Sequence, residues 1–188
     1  MIQAVIFDMD GLLVDSEPVW DSARKWMADG AGKPWDALDH DAVIGRMVAM
    51  YEAGVPYFPG AVELVDLAAA SYRTALASGS HPTLIDTVTA DPPMRGKFEI
   101  IVAADEVGAG KPAPDVYLAA AQRLGVDPQD SVCLEDSGNG ILSGAAAGMK
   151  VIAVPDPRFP PSQEKLDRAD VVVTSLSEVT PELIARLG

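Results

Sequence analysis

The stretch "AVIFDMDGLLVDSE", residues 4–17, decides how this chain folds. Its apolar run ends in Asp8 and Asp10, set one residue apart, with Gly11 directly after. A short continuous apolar run bounded by turn-forming residues reads as a strand buried on both faces. Two carboxylates where a strand leaves the core repel each other and lose solvation. A cation, a shared proton or plain solvent exposure must offset that cost.

Outward from this strand, apolar runs at 74–78, 99–103, 131–135, 151–154 and 170–173 follow the first at 4–8. Helical patterns at 61–71, 83–90, 115–124, 140–147 and 181–187 alternate with them. Such alternation predicts an α/β fold, a doubly wound parallel sheet with a Rossmann-like core. The interval 15–59 breaks the rhythm, with helical stretches at 18–29 and 41–53 and no strand pattern. Pro18 suits the first turn of a helix, and "GVPYFPG" at 54–60 suits a rigid turn. The expected organisation is therefore a core of residues 1–14 and 60–188, with a small helical cap, 15–59, inserted after the first strand.

Composition narrows the function. The 188 residues are 48% hydrophobic and 22% charged, which is the balance of a folded globular chain. A net charge of −14 makes nucleic acid and anionic membrane poor partners. A phosphate ester remains possible where a metal and a few donors are concentrated. The single cysteine, Cys133, excludes an internal disulfide. The N-terminus lacks a signal-peptide pattern, and no apolar stretch is long enough to span a membrane, so a cytoplasmic protein is expected, with a monomer favoured.

In an open parallel sheet, ligands bind beyond the carboxyl ends of the strands. The first strand delivers Asp8 and Asp10 there. The second ends in "ASGSHP", with Ser78 and the amides of Gly79 and Ser80. "EVGAGKPAPDVY" follows the third and supplies Lys111, and "CLEDSGNG" at the end of the fourth supplies Glu135 and Asp136. Singly, each has an ordinary reading as a turn former, a cap or a solvated side chain. Their arrival in order at one sheet edge argues for a site. His81 reads as a surface turn residue, His40 as a loop residue without a role, Cys133 as buried packing, and Trp20 and Trp26 as packing of the insertion. The glycines at 138, 140, 144 and 148 would let a helix lie close to the sheet.

The motifs "FDMDGLLVDSE", "LASGS", "GKPAPDVY" and "CLEDSGNG" resemble the haloacid dehalogenase-like hydrolase superfamily, most closely its sugar-phosphate phosphatase and β-phosphoglucomutase branch. The resemblance covers residues 1–18 and 60–155. It implies Asp8 as nucleophile, Asp10 as general acid and base, and Ser78, Gly79 and Lys111 as phosphate-binding residues. It further implies Mg²⁺ held by Asp8, Asp10 and Asp136, with Glu135 in contact with the ion or one layer behind it. The implied activity is hydrolysis of a small, sugar-like phosphate monoester through an aspartyl-phosphate. Asp10 argues against dehalogenation, because the dehalogenases of the superfamily lack it.

Two rivals remain. A phosphosugar mutase uses the same core, but its branch carries a histidine just inside the cap, and "DSEPVW" offers none. A receiver-type signalling domain shares the acidic cluster, Ser/Thr and Lys, but lacks the second aspartate and the insertion. The insertion itself looks short, since four helices with connections need about 55–65 residues. Only "GAGKPWDALDH", residues 30–40, lies between its two helical stretches. Either the cap is trimmed to two helices, or a segment within 30–44 is absent and one Cα–Cα step there exceeds ~3.8 Å.

Overall fold

The computed structural model describes residues 1–31 and 39–188. Six strands form one sheet: β1 (Ala4–Phe7), β2 (Arg73–Ser78), β3 (Ile100–Ala103), β4 (Ser131–Glu135), β5 (Lys150–Ala153) and β6 (Val171–Val172). All pair in parallel, in the spatial order β3-β2-β1-β4-β5-β6. The doubly wound sheet expected from the alternating pattern is the one observed. Every expected strand lies within a residue or two of its observed place.

The helices are α1 (Glu17–Ala31), α2 (His40–Ala53), α3 (Ala61–Ser71), α4 (Pro82–Ala90), α5 (Asp115–Leu124), α6 (Gly138–Ala146), α7 (Gln163–Leu166) and α8 (Pro181–Ala185). Only α7 has no counterpart in the sequence reading, because one turn is too short to show a helical period. Capping residues set several boundaries. Asp39 accepts from the amides of Asp41 and Ala42 at the start of α2, and Ser137 accepts from the Gly140 amide at the start of α6.

Strand β1 shows why the sheet needs helices on both sides. Val5 and Phe7 enter one buried cluster, with Leu64 of α3, Leu84 of α4 and Ile184 of α8. Ala4 and Ile6 enter the other, with Val116 and Ala120 of α5 and Ile141 of α6. The period of two along a strand sends alternate side chains to opposite faces, so an unbroken apolar run is buried twice.

Residues 15–59 are rooted in a short antiparallel pairing. The Asp15 amide donates to Pro56 O at 2.8 Å, and the Phe58 amide donates to Leu13 O at 2.9 Å. Val19 and Ala23 of α1 and Val43, Ile44, Met47 and Tyr51 of α2 then join the same buried cluster as Phe7 and Leu76. The two helices thus share an apolar core with one face of the sheet. The suspected missing step in 30–44 falls largely on residues 32–38, which lie outside the described residues. No helix among the described residues is long and apolar enough to cross a membrane.

Helix α6 lies close against β4 because two of its three glycines meet that strand. A Cβ on Gly140 would overlap the Glu135 carboxylate, and one on Gly144 would overlap Cys133 Sγ. Cys133 is fully buried, and burial pushes its thiol pKa up, as expected of inert packing. Gly144→Ala should therefore lower stability by about 1–3 kcal/mol through overpacking. The cost should shrink in a Cys133→Ala background, where the added methyl has room. Urea unfolding of the four members of this cycle measures the coupling.

Candidate active site

The strand order places a topological switch at β1. The chain leaves β1 towards β2 and β3, then returns to form β4 on the other side of β1. Ligand sites of doubly wound sheets sit beyond the carboxyl ends of the strands at such a switch. Asp8 follows β1 and is tied to β4 by its amide, which donates to Leu134 O at 3.1 Å. Glu135 ends β4 and Asp136 follows it.

Lys111 joins these elements. Its Nζ lies 2.5 Å from Asp8 Oδ1 and 2.5 Å from Glu135 Oε1, and it donates to Ala77 O of β2 at 3.0 Å. Glu135 is fully buried. Its Oε1 also accepts from the Tyr117 hydroxyl at 2.7 Å, and its Oε2 from the Ser137 hydroxyl at 3.1 Å. A carboxylate so fully engaged acts as the anchor of Lys111, with little capacity left for another ligand.

Oxygens of Asp8, Glu135 and Asp136 lie within 4.8 Å of one another. Asp10, expected among the metal ligands, stands outside this group. Its Oδ2 accepts from the Ser80 hydroxyl at 2.5 Å, which turns the carboxylate towards the loop after β2. Buried Oδ1 atoms of both Asp10 and Asp136 have no hydrogen-bond partner among the described residues. Gly11, at φ +80°, makes this approach possible, since a Cβ there would overlap the Asp136 carboxylate.

Charge is in surplus here. Burial and then the Glu135 charge raise the Asp136 pKa to about 7. Burial likewise raises Asp8 and Asp10, against the pull of Lys111 on Asp8 and of Ser80 on Asp10. Burial opposes the charge on Lys111, but Asp8 and Glu135 outweigh it and hold the ammonium protonated. One cation facing three carboxylates, with a buried carboxylate oxygen unpaired, is a donor set that fits a hard divalent ion with oxygen ligands.

The remaining expected residues are less central. Ser78 is fully buried at the end of β2, where its Oγ accepts from the Ser80 amide at 3.0 Å. Gly79 is exposed, with open space around it. His40, read as a loop residue without a role, opens α2 and stacks on Trp20 with ring centroids 6.2 Å apart. His81 lies 6.5 Å from His40. Three partners escaped the sequence reading: the Ser80 hydroxyl, Tyr117, and Arg158, whose guanidinium pairs with Asp15 and Asp156. Tyr117 stood inside the quoted "GKPAPDVY", six residues after Lys111 and in the first turn of α5. Nothing local marks Arg158.

A family model described as a haloacid dehalogenase-like hydrolase matches residues 22–148. Hexitol phosphatase B of Escherichia coli K12 is 35% identical over 211 aligned positions, covering 95% of this chain and 95% of that protein. The aligned span exceeds the 188 residues of this chain, so the relative has residues for which this chain has none. The crystal structure of CbbY from Rhodobacter sphaeroides in complex with phosphate superposes with a TM-score of 0.82 at 27% identity, over 95% of this chain and 96% of that one. For the fold alone, a β-phosphoglucomutase from Clostridium difficile gives a TM-score of 0.80 at 22% identity, over 100% and 97% of the two chains.

The raised Asp136 pKa carries a stability consequence. Its folded value of about 7 exceeds the ordinary 3.8, so the folded state holds a proton that the unfolded chain has released. The stabilising contribution is full below pH 3.8 and is lost as pH rises through about 7. Metal-free protein should accordingly melt at a lower temperature at pH 8 than at pH 5. Asp136→Asn should flatten that slope, and so should saturating Mg²⁺. Thermal denaturation across this range checks both.

Proposed function

The chain belongs to the haloacid dehalogenase-like hydrolases, and on that premise we propose that it is a Mg²⁺-dependent phosphatase of small, sugar-like phosphate monoesters, with Asp8 as nucleophile. The observation that carries the reading is the convergence of Asp8, Lys111, Glu135 and Asp136 at the adjoining ends of β1 and β4, with Asp10 two residues beyond Asp8. The hexitol phosphatase similarity supports the sugar-like substrate class. Residues 15–59, with α1 and α2 among the described residues, are read as a cap over this edge.

Asp8 and Asp136 would hold the ion, with Glu135 behind them fixing Lys111. The ion, when bound, neutralises the carboxylates and the phosphoryl dianion, which an anionic nucleophile could not otherwise approach. An Asp8 carboxylate oxygen attacks phosphorus in line while the bond to the ester oxygen breaks. Asp10, which burial favours in its protonated form, gives its proton to that departing oxygen and the alcohol leaves. As a carboxylate, Asp10 then takes a proton from water. The resulting hydroxide attacks the same phosphorus, releases inorganic phosphate and restores Asp8. Lys111, the Ser78 hydroxyl and the Gly79 amide hold the equatorial oxygens during both transfers.

The second reading is a phosphosugar mutase, and one observation favours it. "DSEPVW" supplies no histidine, yet α2 brings the His40 imidazole against Trp20 just inside the insertion. Product analysis separates the two. With a hexose or hexitol phosphate and Mg²⁺, the phosphatase yields free phosphate and the dephosphorylated polyol, whereas a mutase yields a positional isomer. Asp8→Asn should lower turnover by about 10⁴-fold or more, because an amide is not a usable nucleophile. Chelation should stop phosphate release, and restored Mg²⁺ should return it. Wild-type turnover in Asp8→Asn would remove the nucleophile assignment.

A further inference from the structure

Asp10 and Asp136 open onto a cleft of about 290 Å³ whose outer wall includes Asp15, Glu17, Asp156 and Arg158. Arg158 is the one cation lining this cleft among the described residues, and its guanidinium is heavily committed. Nε donates to Asp156 Oδ1 at 3.0 Å and Oδ2 at 2.9 Å. Nη2 donates to Asp156 Oδ2 at 2.6 Å and to Asp15 Oδ1 at 2.7 Å. The Arg158 amide adds a bond to Asp156 Oδ1 at 2.8 Å, so the buried Asp156 carboxylate is fixed from both backbone and side chain. Its pKa is lowered, first by the side-chain bonds from Arg158. Two carboxylates on one guanidinium leave this clamp with net negative charge.

The clamp also sits at the root of the insertion. Asp15 belongs to the entering segment, and the Arg158 guanidinium lies 5.9 Å from the ring of Phe58 on the departing one. It therefore meets both chain segments at that root.

We propose that the Asp15–Arg158–Asp156 clamp sets the charge class of the substrate: the cleft takes the uncharged polyhydroxy part of a monophosphate and rejects a substrate with a second phosphate there. The proposal rests on the phosphatase reading and adds the charge of the leaving group to it. Carboxylates accept hydrogen bonds from several hydroxyls, so Asp15 and Glu17 suit a polyol. An arginine captures phosphate by presenting an open fork of N–H donors. Here Nε and Nη2 already serve carboxylates, and an incoming second phosphate meets a wall of its own sign. Like charges brought together repel, which disfavours binding of the second phosphate.

Initial rates with glucitol 6-phosphate and with glucitol 1,6-bisphosphate, at the same free Mg²⁺, test this. The expected kcat/KM favours the monophosphate by about 100-fold. Asp15→Asn removes one charge and releases part of the guanidinium, and it should narrow the ratio about tenfold, chiefly through a lower KM for the bisphosphate. Asp15→Ser should act in the same direction, while Arg158→Gln should widen the ratio. A purely structural role would slow both esters alike and leave the ratio unchanged in every variant. That result, or a wild-type ratio near one, overturns the proposal while leaving the phosphatase reading intact. Failure of the wild type to release phosphate from either ester, or from p-nitrophenyl phosphate, overturns both.

Discussion

A single buried ammonium organises this molecule. Lys111 Nζ is shared between Asp8 and Glu135, each 2.5 Å away, and also reaches the carbonyl of Ala77. It therefore touches the ends of β1, β2 and β4 at once. Removing these charges from water is costly, and their attraction offsets that cost only where the remaining lone pairs are satisfied. Tyr117 and Ser137 supply the satisfaction on Glu135, one from α5 and one from the start of α6. Helices from one face of the sheet are thereby made to support the chemistry at its edge.

The second requirement is close approach, and it is met by leaving atoms out. Gly11 lets the turn after Asp10 pass against Asp136, and Gly140 lets α6 start over Glu135. Without these two positions the acidic groups would be forced apart, the repulsion among them would fall, and the affinity for a cation would fall with it. The price of the arrangement is visible in the raised pKa values of Asp8, Asp10 and Asp136, all pushed up first by burial. A site that holds surplus negative charge in this way could hold a divalent ion, which would offset the repulsion.

The insertion is coupled to that centre at its root. Pairing of Val14 with Tyr57 fixes its two chain segments side by side, and the Arg158 clamp fastens Asp15 to the loop after β5. Because α1 and α2 bury their apolar faces in the cluster that also contains Phe7 and Leu76, the insertion and the sheet stabilise each other. Residues 15–59 and the sheet are joined through packing as well as through sequence.

Much of this was legible in the residues alone. Strand–helix alternation is a local pattern with a fixed period, so it specified the parallel sheet, and "FDMDG", "ASGS", "GKPAPD" and "CLEDSGNG" marked the loops at its edge. Asp8, Lys111, Glu135 and Asp136 were all named from those loops, and the structure brings them into one network. What stayed hidden depends on direction. Asp10 turns to Ser80, Tyr117 turns inward to Glu135, and His40 meets Trp20, because side-chain orientation is set by the neighbours that folding supplies. Arg158 lies 143 residues from Asp15. No periodicity or motif connects them, so sequence determined the sheet and its acidic edge, while only tertiary packing decided which charges meet there and which are left unpaired.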